Sequence, residues 1–387
     1  MPEAVIVAAG RSPIGRAMKG SLVDLRPDDL TATIVTRVLD RIPELDRTQI
    51  NDLILGCGLP GGEAGFNMGR VVSLLARLDV PGTTITRYCS SSLQTTRMAF
   101  HAIRAGEGDA FVSAGVECVS RFLNGSSDMP QCRNPRMEPG NAEGYPDVYI
   151  AMGQTAENVA AQEEISREEM DRFAARSQNR AVQSQTDGFF DREIIPVERP
   201  DGTVVSRDDG PRPNTTAEVL GTLKPVFRED GKVTAGNSCP LNDGAAAVVV
   251  MSDERARELG IRPLARIIAT GLSALNPEIM GLGPIQASRQ ALQRAGMSID
   301  DIDVVEINEA FAAQVIPSAR GIGIDPFDDR LNPFGGSIAL GHPFGMTGAR
   351  ITCTLLNGLR TLDRTIGLET MCVGGGMGMA MILERMD

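Results

Sequence analysis

The chain has 387 residues, 42% apolar and 23% charged, which fits a globular protein with two or three cores or one large fused α/β unit. A net charge of −12 argues against a nucleic-acid partner, although a small anionic ligand needs only a local arginine cluster and backbone N–H groups. Seven irregularly spaced cysteines without a C-x-x-C pair, and no apolar run near the roughly 18 residues of a membrane span, argue against a disulfide framework, a structural zinc site and a membrane protein. A reducing cytoplasmic setting is expected, and the C-terminus carries no peroxisomal address.

In chain order, residues 5–9 predict a buried strand and 10–15 a turn. Pro27, Asp28 and Asp29 open a helix predicted to reach about residue 41, with Leu30, Ile34, Val38 and Leu39 on one face. A strand is expected over 50–56, a helix over 69–78 and a strand over 83–88. At Cys89 strand gives way to helix, with Ser90, Ser91 and Ser92 as capping residues and Leu93, Met98, Ala99 and Ile103 as its apolar positions. Cys89 would then sit at the positive end of the helix dipole, which favours thiolate over thiol. Residues 110–115 predict a further buried strand.

From 118 to 242 the texture changes. Residues 121–146 are rich in Gly, Pro, Asn and Ser and read as an irregular excursion and a contact element for association. Residues 156–187 predict one charged helix, and 201–213 are polar and proline-punctuated. The stretch reads as an insertion covering a site of the core fold, which resumes with a strand at 242–251. The second half then resembles the first. Helix 287–295 and strand 302–307 parallel helix 34–41 and strand 50–55, and the turn at His342, its helix and the strand ending at Cys372 parallel the turn at Cys89, its helix and the strand ending at Gly115. The expected division is 1–117 with 243–262, then 118–242, then 263–387.

Two glycine-rich turns carry chemistry. Gly335-Gly336-Ser337-Ile338-Ala339-Leu340-Gly341-His342-Pro343 holds one of only two histidines, and Cys372-Val373-Gly374-Gly375-Gly376 ends an apolar strand. Glycine lets backbone approach a ligand without a Cβ clash. A histidine and a cysteine delivered by such turns point to acid/base or nucleophilic work with Cys89, at the strand ends where open α/β sheets bind ligands. His101 reads as a structural or surface residue, and Cys57, Cys118, Cys132 and Cys353 as small hydrophobes.

The stretches Cys89-Ser90-Ser91-Ser92-Leu93-Gln94, Gly115-Val116-Glu117, Met152-Gly153-Gln154-Thr155-Ala156-Glu157-Asn158, Thr234-Ala235-Gly236-Asn237, Asn242-Asp243-Gly244-Ala245-Ala246 and Asn308-Glu309-Ala310-Phe311, followed by the two glycine turns, resemble the thiolases in family order from end to end. The resemblance implies a duplicated αβαβα fold in five layers with an inserted loop domain, and carbon–carbon bond chemistry next to a coenzyme A thioester. It implies Cys89 as the nucleophile, His342 as its activator and Cys372 as the proton donor and acceptor. Asn308 with a held water and His342 would form one oxyanion site, and the backbone N–H groups of Cys89 and Gly374 the other. Acyl-CoA and CoA contacts are implied for Arg212, Ser238, Cys239, Met152, Met280 and Phe311. No tightly bound cofactor and no metal are implied, CoA is the co-substrate, and a homodimer or homotetramer is expected.

Three positions depart from the family pattern. Ser92 stands where glycine is usual, Cys239 replaces a serine on the pantetheine arm and is followed by Pro240, and Ala151 stands where acetoacetyl-forming members carry histidine. The stretches Cys-Ser-Ser-x-Leu-Gln, Gly115-Val116-Glu117 and Asn332-Pro333-Phe334-Gly335-Gly336 look more like degradative 3-ketoacyl-CoA thiolases of fatty-acid β-oxidation. The alternatives are a biosynthetic acetoacetyl-CoA thiolase and a non-catalytic acyl-CoA carrier, which would be expected to have lost Cys89 or His342. A decarboxylating ketoacyl synthase would have histidine or asparagine in place of Cys372.

Overall fold

The computed structural model describes residues 2–125, 129–138, 140 and 143–387; residues 126–128, 139 and 141–142 of the expected excursion lie outside the described residues. The first half runs β1 (Ala4–Arg11), β2 (Gly15–Arg16), α1 (Pro27–Leu39), β3 (Asp52–Cys57), α2 (Met68–Leu75), β4 (Gly82–Ile85), α3 (Ser91–Ala105) and β5 (Ala110–Cys118). α1 starts where Pro27 fixes φ with Asp28 and Asp29 in the first turn against the helix dipole, and it buries Leu30, Ile34, Val35 and Val38. The excursion holds short 3-10 turns, followed by α4 (Met152–Gln162), α5 (Arg167–Thr186), the hairpin β6 (Val197–Glu198) and β7 (Val204–Val205), and α6 (Ala217–Gly221). The single helix expected over 156–187 is two helices. Glu164 takes a left-handed φ of 54°, and the Ser166 hydroxyl accepts the Glu169 N–H to cap a new start. The chain then forms β8 (Asn242–Ser252) and α7 (Asp253–Leu259).

The second half runs β9 (Ala265–Ala274), α8 (Gly283–Ala295), β10 (Val304–Ile307), α9 (Ala312–Ile322), α10 (Ser337–Leu340), α11 (Thr347–Thr361), β11 (Ile366–Val373) and β12 (Met377–Arg385). The strand order is β4-β3-β5-β8-β1, continuing into β9-β12-β11-β10. The expected duplication is visible in the strand directions. β3 and β5 are parallel and β8 runs antiparallel between β5 and β1; β10 and β11 are parallel and β12 runs antiparallel between β11 and β9. Even β4, parallel to β3, has a remnant partner in the parallel bridge from Val305 to Leu331.

Strand alternation divides the interior. On β8, Ala245, Ala247, Val249 and Met251 face an outer core with α1, while Ala246, Val248 and Val250 face a central core with Leu93 and Ile103 of α3 and Ala349 and Cys353 of α11. A third core joins Ala287 and Ala291 of α8 and Val315 and Ala319 of α9 to β10, and takes in Ala156 of α4 and Phe173 of α5. The result is five layers: α1 and α2, the first half-sheet, the α3–α11 pair, the second half-sheet, and α8 with α9.

The central helices approach so closely that a Cβ on Gly348 would lie 2.3 Å from the backbone nitrogen of Leu93. Gly348→Ala is therefore expected to destabilise the fold by about 1–3 kcal/mol or more, as overpacking does. Chemical denaturation checks this; an unchanged midpoint would mean the helices can part at no cost.

Candidate active site

Cys89 lies in a 3-10 turn, Tyr88–Ser90, directly before α3. Tyr88 takes a left-handed φ of 44°, which turns the chain sharply from β4 toward the helix. The serines do not cap the helix as expected. Ser90 Oγ donates to the Arg87 carbonyl at 3.2 Å, and Ser91 Oγ accepts from the Arg87 N–H at 2.9 Å and donates to the Tyr88 carbonyl at 2.6 Å, so they lock the turn instead. Ser92 is spent differently again, accepting the Ala349 N–H of α11 at 2.9 Å. It fits because its neighbour is Gly115, where a Cβ would sit 2.4 Å from the Ser92 Cβ.

The histidine turn is held from behind by Asn242. Gly341 has φ of 113°, and a Cβ there would meet the Asn242 carboxamide at 2.5 Å. The Asn242 Oδ1 accepts the His342 N–H at 3.0 Å, and its Nδ2 donates to the Gly15 carbonyl at 3.0 Å. The tautomer of His342 follows from Thr347. The threonine hydroxyl donates its one proton to the Pro343 carbonyl at 2.8 Å, so at 2.7 Å it accepts from Nδ1–H, leaving the lone pair on Nε2. Asn308 Nδ2 lies 3.4 Å from Nε2. Its Oδ1 accepts from Ser337 Oγ at 2.6 Å, which fixes the amide with NH2 toward the imidazole.

Glu117 ties the histidine turn and the loop after β3 to the end of β5. Its carboxyl accepts the N–H groups of Gly58 at 2.7 Å, Leu59 at 3.2 Å and Gly345 at 2.8 Å. Cys372 is the penultimate residue of β11, which is followed by a glycine hairpin whose Gly375 and Gly376 have φ of 77° and 79°. That hairpin brings the Gly374 N–H to the Cys89 sulfur.

Burial sets the charges. It pushes the Cys89 thiol up to about 12, against the N–H groups of Gly374 and of Cys89 itself, while the nearby Glu117 carboxyl adds to the rise. The thiolate expected from the helix dipole is therefore not the resting state, because desolvation outweighs the dipole. Cys372 is pushed well above its ordinary range by burial and then by Cys89 and Cys239, which puts the three sulfurs within electrostatic reach. Burial, aided by Arg350, lowers His342 to about 3, so it is neutral. A neutral thiol beside a neutral imidazole with a free lone pair can exchange a proton when charge develops on a bound ligand.

A cavity of about 350 Å3 opens over Cys89, walled by Tyr88, Met152, Tyr149, Phe344, Gly374 and Gly375 among others. Met280 is not on this wall; it is buried in the third core with Phe311 and Ala156. Ser238 bridges to Phe311 and donates its hydroxyl to the Thr234 carbonyl at 2.7 Å, and the Cys239 N–H donates to the Ala310 carbonyl at 2.9 Å. Arg212 lines a separate small concavity with Arg16, Gln178 and Gly236, and its guanidinium feels the charge of Arg16. Sequence reasoning did not find Arg16, Glu117, Ser337, Thr347 or Arg350 as site residues; Glu117 and Ser337 stood inside quoted motifs, and nothing local signalled the other three. A third concavity of about 370 Å3, lined by Arg41, Arg192, Arg262 and Arg360, lies at the far end of α11 and holds none of these residues.

Residues 4–254 match the thiolase N-terminal domain and 261–385 the thiolase C-terminal domain. The chain belongs to the thiolase family. It is 43% identical to the 3-ketoacyl-CoA thiolase of Bacillus subtilis (strain 168), covering 99% of this chain and 100% of that one. It is also 43% identical to the 3-oxoadipyl-CoA/3-oxo-5,6-dehydrosuberyl-CoA thiolase of Escherichia coli (strain K12), over 100% of both. Among solved structures it resembles the dimeric peroxisomal thiolase of Saccharomyces cerevisiae, with a TM-score of 0.92, 37% identity and coverage of 99% and 97%. It likewise resembles human mitochondrial 3-ketoacyl-CoA thiolase in complex with CoA, at 0.89, 34%, 99% and 98%. This thiolase is accordingly an acyltransferase that uses CoA, and among its described residues no helix is long and apolar enough to cross a membrane.

The buried carboxyls give the thiolase a pH signature. Burial raises Glu117 to about 7, and Glu306 and Glu369 to about 8, from an ordinary 4.5. Each keeps its proton in the fold where the unfolded chain has lost it. Its contribution to stability is complete below about 4.5 and is lost as pH rises through 7 to 8. His342, lowered to about 3 from 6.5, acts in the opposite sense but only between those values. Stability against urea is thus expected to fall from pH 6.5 to 8.5, by about 1.4 kcal/mol per unit for each proton by which the states differ. Glu369→Gln should flatten that slope, and a level wild-type profile would mean the carboxyls are ionised in the fold.

Proposed function

We propose that this thiolase cleaves 3-ketoacyl-CoA with coenzyme A, giving acetyl-CoA and a shortened acyl-CoA, in the degradative direction of fatty-acid β-oxidation or a related breakdown. The observation that carries this reading is the convergence at Cys89: the Gly374 N–H of the Cys372 hairpin reaches its sulfur, while His342 lies at the head of the helix packed against α3. Nε2 of His342 takes the thiol proton, and the Cys89 sulfur attacks the keto carbon. The bond to the neighbouring carbon breaks, its electron pair leaves with the acetyl-CoA enolate, and Cys372 donates the proton that completes acetyl-CoA. Cys372 then takes the proton of the incoming CoA thiol. The CoA sulfur attacks the acyl-Cys89 thioester, and Cys89 leaves with the proton held on His342.

Two oxyanions arise on this path. Asn308 and His342 face one and the N–H groups of Cys89 and Gly374 the other, and losing such a donor typically costs on the order of 100-fold or more. Arg212, with Arg16 beside it, would hold CoA phosphate, and Ser238, Cys239, Met152 and Phe311 would border the pantetheine and acyl groups. Met280 would act from behind, through Phe311. The cavity over Cys89 is larger than an acetyl group fills, and the curated relatives are named for 3-ketoacyl-CoA and 3-oxoadipyl-CoA; both favour degradation over acetoacetyl-CoA synthesis. We take the loop segment 118–242 as the cover of this cavity on two core halves, 1–117 with 243–262 and 263–387. The working state would be a cytoplasmic dimer or pair of dimers, as the likeness to a dimeric thiolase suggests.

Intact-protein mass spectrometry after mixing with acetoacetyl-CoA, and separately with a medium-chain 3-ketoacyl-CoA, tests the cycle. Acyl mass is expected on Cys89, lost on adding CoA and absent in Cys89→Ala, with the medium chain loading faster. Faster loading by acetoacetyl-CoA would move the reading to the biosynthetic enzyme, and binding of both without any adduct would move it to the carrier.

A further inference from the structure

Arg350 is nearly fully buried, one turn into α11, behind the catalytic turn. A buried guanidinium is costly unless its donors are matched. Among the described residues Arg350 makes one hydrogen bond, from Nη2 to Ser337 Oγ at 2.7 Å, while Nε and Nη1 meet no acceptor. Glu306 lies within electrostatic reach but leaves its own Oε1 without a partner, so the cation is not held there by a closed ion pair.

The hydroxyl of Ser337 has one proton. With its oxygen accepting from a cation, that proton goes to Asn308 Oδ1 at 2.6 Å. Charge-assisted bonds in a chain strengthen one another. Drawing on the carbonyl end of the Asn308 amide makes its NH2 a better donor, and the same bond prevents the amide from turning over. That NH2 lies 3.4 Å from His342 Nε2.

We propose that Arg350 and Ser337 are positioning residues for the thiolase reaction: through Ser337 Oγ, the buried guanidinium holds the Asn308 carboxamide with its NH2 on the His342 side, where it would hold the water of the oxyanion site, and strengthens it as a donor. The inference rests on the reading of Asn308 as an oxyanion donor. It also explains why the Gly335–Gly336–Ser337 turn needs a hydroxyl at its end, since the bare turn would leave both Arg350 and Asn308 short of a partner. The same cation disfavours protonation of His342, which keeps the base neutral.

The test is a double-mutant cycle of Ser337→Ala with Asn308→Ala, reading kcat, KM for the 3-ketoacyl-CoA and the melting temperature. Weakening a donor costs less than the loss of one, so Ser337→Ala is expected to lower kcat about tenfold or more, with KM changed less than threefold. In the Asn308→Ala background the same change should cost less than twofold, because its effect passes through Asn308. Ser337→Thr, which keeps the hydroxyl, should recover most of kcat. An unchanged kcat in Ser337→Ala, or an equal loss in both backgrounds, overturns the proposal and leaves Ser337 a packing residue. Should Ser337→Ala not fold, Arg350→Lys read through the same cycle decides, with the same outcomes. A full rate in Asn308→Ala alone would instead overturn the oxyanion reading on which the inference stands.

Discussion

Everything at this site depends on two helices meeting head to head with almost no room between them. α3 follows Cys89 and α11 follows His342, and Gly348 against Leu93 with the Ala349 N–H on Ser92 Oγ sets their spacing. The two proposed catalytic groups belong to different halves of the chain, more than 250 residues apart. No local element could bring them together. The duplicated fold does so because each half places the same helix on the inner face of its sheet, and five layers can close only if those two helices share the middle one.

That central position fixes the chemistry as well. Cys89, Cys372 and His342 are all desolvated, so the resting site holds thiols and a neutral imidazole instead of an ion pair. In the proposed reaction charge would then appear only when substrate supplies an oxygen or a carbon to carry it, with the fixed N–H groups already in place to receive it. A preformed thiolate would react with any soft electrophile that entered. In the proposed cycle, keeping the proton until the acyl group is bound would link activation of the sulfur to occupancy of the pocket.

The fold and the turns that carry the proposed reactive residues are legible because motif and periodicity coincide. The buried run at 5–9, the apolar face of α1 and the glycine turns at His342 and Cys372 each announced an element before any coordinate. The failures share a cause. The three serines after Cys89 look like caps because capping is a local propensity, yet two lock the turn and one reaches α11, a partner invisible in the linear chain. The break between α4 and α5 hides in the unremarkable Glu164, whose left-handed backbone no composition signals. The dipole argument for a Cys89 thiolate was correct in sign but too small, since the depth of burial is a tertiary quantity. Glu117 stood inside a quoted motif and Thr347 and Arg350 just beyond one, and only distance assigns them partners.

The duplication also shows how one fold unit yields two kinds of strand end. β5 and β11 occupy equivalent places, each parallel to one neighbour and antiparallel to the other, and each ends near a residue paired across the ladder with glycine: Glu117 with Gly244, and Cys372 with Gly378. In the first half that position carries a carboxyl consumed by three N–H groups, which binds loops together and exposes nothing. In the second it carries a thiol beside an open glycine hairpin, with the Cys89 sulfur within electrostatic reach. A symmetric dimer of one half would present either two clamps or two thiols. Fusing the halves in one chain let the two copies diverge, so that one strand end ties loops together while the other is left with a thiol for the proton transfer proposed above.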